Sequence, residues 1–235
     1  MQDARDDERG SRLDLIRGGR GPRDFVPGWQ AARPRTLTDE QRARYERWIA
    51  EILESLGMPL DTPGTRRTPQ RFLSALADAT RGYEGDPKAV TVFPTERHRR
   101  EPASRDQVVE GPIRLHALCE HHALPFVGDA WVGYVPEDRI LGISKLTRLV
   151  RLFAARFTVQ ERVGQQVADA VVEASGARGA AVSIAAAHMC TRMRGVSEAE
   201  AVTRTLTWRG AYELDERLRS EFLAQLALAE HQPPR

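Results

Sequence analysis

Residues 118–126 read LCEHHALPF, so a thiol, a carboxylate and two imidazoles stand in consecutive positions. The chain has only two cysteines, and the second, Cys190, ends the apolar run GAAVSIAAAHMC. Zinc prefers thiolate and imidazole ligands, and a single turn can bring Cys119 and His122, three residues apart, to one ion. The apolar run predicts a strand, and alternation along it would put His188 and Cys190 on one face. We therefore expect Cys190 to complete a site with three protein ligands.

Three interpretations of these residues are open from spacing alone. Cys119 and Cys190 could be buried thiols, with the histidines making local hydrogen bonds. They could also hold a closed structural zinc, with His121 or His188 as the fourth ligand. A catalytic zinc site, in which the fourth position is left for water or substrate, is favoured because Glu120, His121 and His188 supply additional proton-transfer groups. A disulfide is less expected in a reducing compartment.

The segments on either side of the motif predict strands over residues 107–118 and 130–135, with PFVGD between the motif and the second strand. The run GAAVSIAAAHMC predicts a third strand, and the Thr-rich residues 201–208 predict a fourth. Apolar residues at helical spacing precede, separate and follow these strands. Helices and strands in blocks indicate an α+β fold rather than a doubly wound one.

Helix boundaries are predicted from capping patterns. Thr38 and Gln41 form a capping-box pattern at the start of the first helix, and Thr68 followed by Pro69 indicates the start of a second. Further helices are expected around residues 146–153, 163–174 and 214–226. Residues 1–36, rich in Arg, Asp, Gly and Pro, predict a disordered tail. We divide the rest into an N-terminal helical region, 37–94, and a catalytic domain, 95–235.

Charge and hydropathy exclude several classes of partner. The formal net charge is +2, which gives no global basic field for binding nucleic acid. No apolar run approaches the roughly 18 residues of a membrane span. The N-terminal sequence MQDARDDERG is charged and has no apolar segment of a secretory signal. We therefore expect a cytoplasmic protein without nucleic-acid or membrane partners.

The run GISKLTRLVRLFAARFTVQER, residues 142–162, suggests an anion site. Ser144 is a plausible N-cap, and Lys145 and Arg148 then lie on one face near a helix N-terminus, where phosphate is favoured. Further arginines that could join this site are Arg71 and Arg194. Each of these cations taken alone could be a solvated surface charge, and Glu161 in VQER is by default an exposed helix acid.

Taken as an ordered set, these motifs resemble the GTP cyclohydrolase I family. The set is LCEHHALPF, GISKLTRLVRLFA, VQER, HMC and RMRGV, with TPQR upstream and TRTLTWRGAY downstream, and the resemblance covers roughly residues 38–226. It implies a tunnelling fold, an antiparallel sheet backed by helices, assembled into a ring that is usually a homodecamer with active sites between subunits. It also implies zinc-dependent hydrolysis of the imidazole ring of GTP, with release of formate and formation of 7,8-dihydroneopterin triphosphate, the first step of tetrahydrofolate and pterin biosynthesis.

The resemblance also implies roles for individual residues. The zinc ligands would be Cys119, His122 and Cys190. The catalytic residues would be His121, His188 and Ser144, with His188 protonating N7 of the purine and Ser144 handling the ribose hydroxyls. The substrate contacts would be Arg71, Lys145, Arg148, Gln160, Glu161 and Arg194. In this set Glu161, with Gln160 beside it, resembles the guanine-binding acid, and the cations resemble triphosphate contacts.

Departures from the family pattern leave other functions open. Ala117 stands where the family often has Ser or Thr, and Thr191 and Arg192 replace other residues within HMCxxMRG. One alternative is a non-catalytic oligomer of the same fold that binds GTP without turnover. Another is an enzyme of that fold acting on a different pterin or a deazapurine precursor. A classical zinc deaminase is disfavoured because the H-x-E…P-C-x-x-C signature is missing.

Overall fold

The structure, a computed structural model, describes residues 28–89, 91–94 and 106–230. Its helices are α1 Asp39–Ser55, α2 Thr68–Ala79, α3 Ile143–Ala154, α4 Gln160–Ser175, α5 Met189–Arg192, α6 Ala211–Leu214 and α7 Glu216–Glu230. A 3₁₀ turn follows α2 at Arg81–Glu84. Its strands are β1 Val92–Pro94, β2 Val108–Cys119, β3 Pro125–Val135, β4 Arg139–Leu141, β5 Phe157–Thr158, β6 Gly179–His188 and β7 Thr203–Gly210.

A five-stranded sheet in the order β5-β2-β3-β6-β7 forms the centre of the domain. The pairs β2–β3, β3–β6 and β6–β7 are antiparallel, whereas the short β5 runs parallel to β2. A separate two-stranded sheet pairs β1 with β4. The predicted α+β fold, with an antiparallel sheet and helices packed against it, is therefore confirmed.

The main core lies between one face of this sheet and the helices α3 and α4. On β2 the buried side chains alternate with more exposed ones, so that Ile113, Leu115, Ala117 and Cys119 all face the core. A smaller apolar cluster on the opposite face involves α6 and α7 and includes Trp131, Tyr212 and Phe222. Cys119 is thus the last residue of an inward-facing row, which fixes its position at the end of the sheet.

Two strand predictions near the LCEHHALPF motif are wrong in detail. PFVGD is the start of β3 and not a connection, because the chain reverses within residues 120–124. This turn is tight: the amide of Cys119 donates to the carbonyl of Leu124, and the amide of Ala123 donates to the carbonyl of Cys119. β6 ends at His188, so Cys190 lies in the helical turn α5 and strand alternation does not relate these two residues.

The observed helix starts agree with the predicted ones at α1 and α2 but not at α3. The Thr38–Gln41 capping box is present at the start of α1. The predicted cap Ser144 is wrong, because α3 begins at Ile143 with Gly142 as its N-cap. α2 begins at Thr68, as predicted, with Arg67 rather than Thr68 as its N-cap. The last predicted helix is divided in two: α6 ends at Leu214, whose side chain is 90% exposed, and α7 carries the buried apolar residues.

The N-terminal segment is described only in part. Residues 1–27 of the predicted tail lie outside the described residues. Trp29, however, is only 4% exposed, and its ring packs edge-on against Phe153 of α3 with ring centroids 5.9 Å apart. At least this residue of the segment therefore belongs to the core. The division of the chain into regions at 36 and 94 stays a prediction.

None of the helices in residues 28–89, 91–94 and 106–230 combines the length and apolarity needed to cross a bilayer.

Candidate functional site

Strand pairing brings the two cysteine-containing segments to one end of the sheet. Cys119 ends β2, and the hairpin turn that follows leads directly into β3. Because β3 and β6 are antiparallel, Phe126 near the start of β3 pairs with His188 at the end of β6. The turn with His122 and the helical turn α5 with Cys190 therefore emerge at the same end, although 71 positions separate the two cysteines.

The predicted ligands meet at this end. One Sγ atom each from Cys119 and Cys190 and a ring nitrogen of His122 all lie within 4.8 Å of one another. Both cysteines are free thiols, Cys119 buried and Cys190 partly exposed. Two thiols and one imidazole are the donors that zinc and similar divalent ions prefer, and thiolates bind them after losing a proton. Among the residues that the structure describes, the group that fits a metal ion has these three donors, one fewer than the four of a tetrahedral site.

His121 lies beside this group without belonging to it. Its Nδ1 is 3.8 Å from Sγ of Cys119, and its ring centroid is 6.3 Å from that of His122. His121 is exposed. Its side chain is therefore free to meet a molecule bound next to the metal group, as a proton-transfer residue must.

His188 occupies a more enclosed position. Its ring stacks on Phe126, with centroids 4.6 Å apart and an interplanar angle of 9°, and its Nε2 lies 2.9 Å from Oε1 of Gln160. Burial lowers the pKa of His188 below its ordinary value, while the negative charge of Glu161 acts in the opposite direction. Two contacts thus hold this imidazole at the metal end of the sheet.

An ion pair connects the metal-ligand turn to α4. Arg162 binds the carboxylate of Glu120 with both terminal nitrogens; one of the two contacts is Nη2 to Oε1 at 3.1 Å. The hydrogen bond from Arg162 holds the pKa of Glu120 below its usual range, despite the opposing effect of desolvation. In addition, the amide of Glu120 donates to the carbonyl of Thr158. The turn is therefore fixed from two sides, and Arg162 directly follows Glu161.

We expect Arg162→Met to weaken metal binding by about 10-fold, because residues that orient metal ligands typically contribute 10- to 100-fold. Chelator competition against Zn²⁺ measures this change. Arg209→Met is the matched control: Arg209 pairs with Asp169 at 2.6 Å, between β7 and α4, and its loss should leave the metal affinity unchanged. Equal affinities for the Arg162 and Arg209 variants would show that the ion pair does not support the ligand turn.

The predicted anion residues are spread over several places. Ser144 and Arg148 line a groove of about 1050 Å³ together with His116, and this lining does not include any of the three metal-ligand candidates. Lys145 Nζ donates to the carbonyl of Lys88 at 3.0 Å, and Arg148 pairs with Asp86 at 3.1 Å. Lys145 and Arg148 are thus both engaged by the segment that carries Asp86 and Lys88.

The other two arginines are also apart from each other. Nη1 of Arg194 lies 3.5 Å from the carbonyl oxygen of Cys190, so this cation is next to the metal group. Nη1 of Arg71 donates to the carbonyl of Gly64 at 2.9 Å, before the start of α2. Glu161 lies exposed in the first turn of α4, close enough to His188 for its charge to act on that ring.

Sequence reasoning missed two residues of this site. Phe126 supports the His188 ring, but its apolar side chain in PFVGD gave no chemical signal. Arg162 holds the ligand turn; its position directly after Glu161 was visible, but its partner was not. Both contacts depend on strand pairing between distant segments.

Comparisons with known proteins identify relatives of the whole folded region. The family model of GTP cyclohydrolase I matches residues 45–227. The GTP cyclohydrolase 1 of Teredinibacter turnerae is 39% identical over 180 residues, which cover 75% of this chain and 94% of that protein. That of Campylobacter lari is 37% identical over 182 residues, covering 76% and 92%. That of Coxiella burnetii is 40% identical over 179 residues, covering 75% and 94%.

Proposed function

The chain belongs to the GTP cyclohydrolase I family, and on that premise we propose that it opens the imidazole ring of GTP at the Cys119–His122–Cys190 group, with zinc as the metal. The observation that carries this proposal is the convergence of those three ligands with two further imidazoles beside them. The products are formate and 7,8-dihydroneopterin triphosphate. The reaction is the first step of tetrahydrofolate and pterin biosynthesis.

Hydrolysis of the purine at C8 needs a nucleophile and an activated ring. When bound, zinc would make a water molecule nucleophilic at neutral pH. His188 would donate a proton to N7 of the purine, which makes C8 more electrophilic. His121 would exchange protons with the reacting groups from the exposed side of the site. Ser144 would handle the ribose hydroxyls during the later rearrangement.

Recognition of GTP requires contacts at both ends of the nucleotide. The carboxylate of Glu161 can accept two N–H bonds from guanine. The triphosphate needs several cations, for which the proposed residues are Arg71, Lys145, Arg148 and Arg194. Charge-assisted hydrogen bonds from such residues to phosphate are about twice as strong as neutral ones.

We further propose that complete active sites form between subunits of a homo-oligomer, a homodecamer by analogy with the family. Two observations support this assembly. The groove lined by Ser144 and Arg148 does not include the metal ligands in its lining, as expected if a second chain brings the two sets of residues together. In addition, α1 buries none of its residues within one chain, and Trp48 and Ile52 on it and Leu56 directly after it are exposed.

Incubation of the purified, zinc-loaded protein with GTP tests the proposed reaction. We expect formate release together with a product that becomes a fluorescent pterin on oxidation. Metal-stripped protein should lose the activity and regain it when zinc is restored. Binding of GTP without formate release would contradict the proposal and favour a non-catalytic oligomer, while turnover of only a non-phosphorylated substrate would favour a related enzyme of the same fold.

A further inference from the structure

Gln160, the first residue of α4, is almost fully buried, with 1% of its surface exposed. Its Nε2 lies 3.0 Å from the carbonyl oxygen of Ile184 and 3.1 Å from that of Thr203. The same nitrogen lies 3.1 Å from Oγ1 of Thr205. On the other side of the amide, Oε1 lies 2.9 Å from Nε2 of His188. The side chain therefore joins α4 to β6 and β7 through four contacts.

These contacts determine the positions of the oxygen and the nitrogen in the side-chain amide of Gln160. Oxygen and nitrogen of a glutamine side chain must be assigned from their hydrogen-bond partners. Carbonyl oxygens only accept hydrogen bonds. The atom facing Ile184 and Thr203 must therefore be the NH₂ group, and its two hydrogens are shared among those two carbonyls and Oγ1 of Thr205. The opposite assignment would place the amide oxygen of a buried side chain against two carbonyl oxygens, with no hydrogen between them.

The orientation of the Gln160 amide in turn determines which ring nitrogen of His188 carries the hydrogen. Because Oε1 of Gln160 can only accept, Nε2 of His188 must donate and therefore carries a hydrogen. A neutral imidazole has one N–H and one lone pair. In neutral His188 the lone pair is then on Nδ1, since Nε2–H is committed to the amide.

We infer that Gln160 is a positioning residue that holds His188 in the Nε2–H tautomer, so that Nδ1 is the ring atom that exchanges a proton with the substrate. This inference rests on the proposed role of His188 at N7 of the purine. In that step the Nδ1–H bond of the imidazolium breaks, an N7–H bond forms, and the neutral ring keeps Nε2–H on Gln160. The inference differs from a substrate-binding role for the Gln160 side chain, whose two hydrogens are already engaged by protein acceptors.

The tautomer is measured directly by ¹⁵N NMR of the zinc-loaded protein with labelled histidine, without substrate. The chain has six histidines, and the spectrum of His188→Asn identifies the signal of His188 by its loss. At about pH 8, above the ordinary histidine pKa of about 6.5, we expect protonated Nε2 and unprotonated Nδ1. A neutral ring with the hydrogen on Nδ1, or a mixture of both tautomers, would overturn the inference. Because no turnover is needed, this result is independent of whether GTP is the substrate.

Kinetics of Gln160→Leu separate positioning from substrate binding. We expect kcat to fall on the order of 100-fold, as for a misplaced catalytic group, with KM for GTP changed by less than about twofold. The Nε2–H signal of His188 should also lose its protection from exchange with water. A raised KM with unchanged kcat, or an unaltered Nε2–H signal, would overturn the proposed role.

Gln166→Leu provides the matched control for this variant. Gln166 is a buried glutamine of the same helix, and its Oε1 has no hydrogen-bond partner among the described residues. Its substitution removes a carboxamide from α4 without contact to His188. We expect kcat and the His188 signal to stay as in the unmodified protein. An equal loss of kcat in both variants would reduce the role of Gln160 to helix packing and overturn the inference.

Discussion

Replacement of Cys119 by serine is expected to abolish metal binding and to lower turnover of GTP by about 10³-fold or more. The hydroxyl of serine has nearly the shape of the thiol but does not ionise near neutral pH, so it cannot replace a thiolate ligand. A catalytic metal contributes several kcal/mol to transition-state stabilisation, and each 1.36 kcal/mol is a tenfold change in rate. Metal content and formate release measured on the same preparation test the two losses together.

The fold should survive this substitution, which allows a clean control. Cys119 is the last residue of β2, and serine changes little of the apolar volume at the edge of the core. Ala117→Ser is the matched control, because Ala117 is buried on the same face of β2, two residues earlier. It introduces the same hydroxyl without touching the ligand group, and metal content should be retained. Full metal content and activity in Cys119→Ser would contradict the proposed metal centre.

The metal centre was predictable because its chemistry uses rare residue types. With two cysteines in the chain, few pairings could be made, and Cys119 with His122 had a spacing that a turn can use. The route by which Cys190 reaches them was not predictable. Strand periodicity continued through AHMC in the sequence, but the structure ends β6 at His188 and places Cys190 in a helical turn.

Local capping was predictable only where side chain and backbone act within four residues. The Thr38–Gln41 capping box satisfies its own donors, so the start of α1 follows from the sequence. At α3, Ser144 had the favoured residue type but not the position. β4 pairs with β1 as far as Leu141, and the helix begins after the single residue Gly142. A tertiary constraint thus overrode the local preference.

Contacts between distant segments account for what the sequence did not provide. Trp29 stands in a polar segment, yet its ring is buried against α3, because a packing partner can lie more than a hundred residues away. The amide of Gln160 lies beside Glu161 in the sequence, but its partners Ile184, Thr203 and Thr205 belong to β6 and β7. In a single chain Ser144 and Arg148 also line a groove whose lining does not include the metal ligands, which the order of motifs could not reveal.

Mixed oligomers of two inactive variants are expected to recover a substantial part of the activity. One variant, Cys190→Ser, lacks a metal ligand, and the other, Lys145→Ala with Arg148→Ala, lacks two proposed triphosphate contacts. Each charged hydrogen bond contributes about 1.5–3 kcal/mol, so the second variant alone should lose on the order of 10²- to 10⁴-fold in kcat/KM. If each site takes its metal ligands from one chain and its anion-binding residues from another, some sites in a mixed oligomer are intact.

The expected recovery follows from random assembly. In an oligomer made of equal amounts of the two variants, each half of a site is intact in about half of the cases, so about a quarter of the sites are complete. Co-expression with two different affinity tags and sequential purification yields such mixed oligomers, and formate release per subunit measures their activity. No recovery at any mixing ratio would contradict sites shared between subunits.

A second mixture tests whether recovered activity comes from sites that combine the metal ligands of one chain with the anion-binding residues of another. Cys119→Ser combined with Cys190→Ser should not recover activity, because the three ligand atoms come from one chain and lie within 4.8 Å of one another. Every chain in this mixture lacks one of its own ligands, so no metal group is complete wherever the anion residues come from. Recovery in this mixture would mean that one chain supplies Cys119 and another supplies Cys190 to the same metal group. The pairing of β3 with β6 holds the hairpin with Cys119 and the turn with Cys190 together in one chain and does not allow this exchange. Recovery in the first mixture and its absence in the second would therefore locate the subunit boundary between the metal group and the groove lined by Arg148.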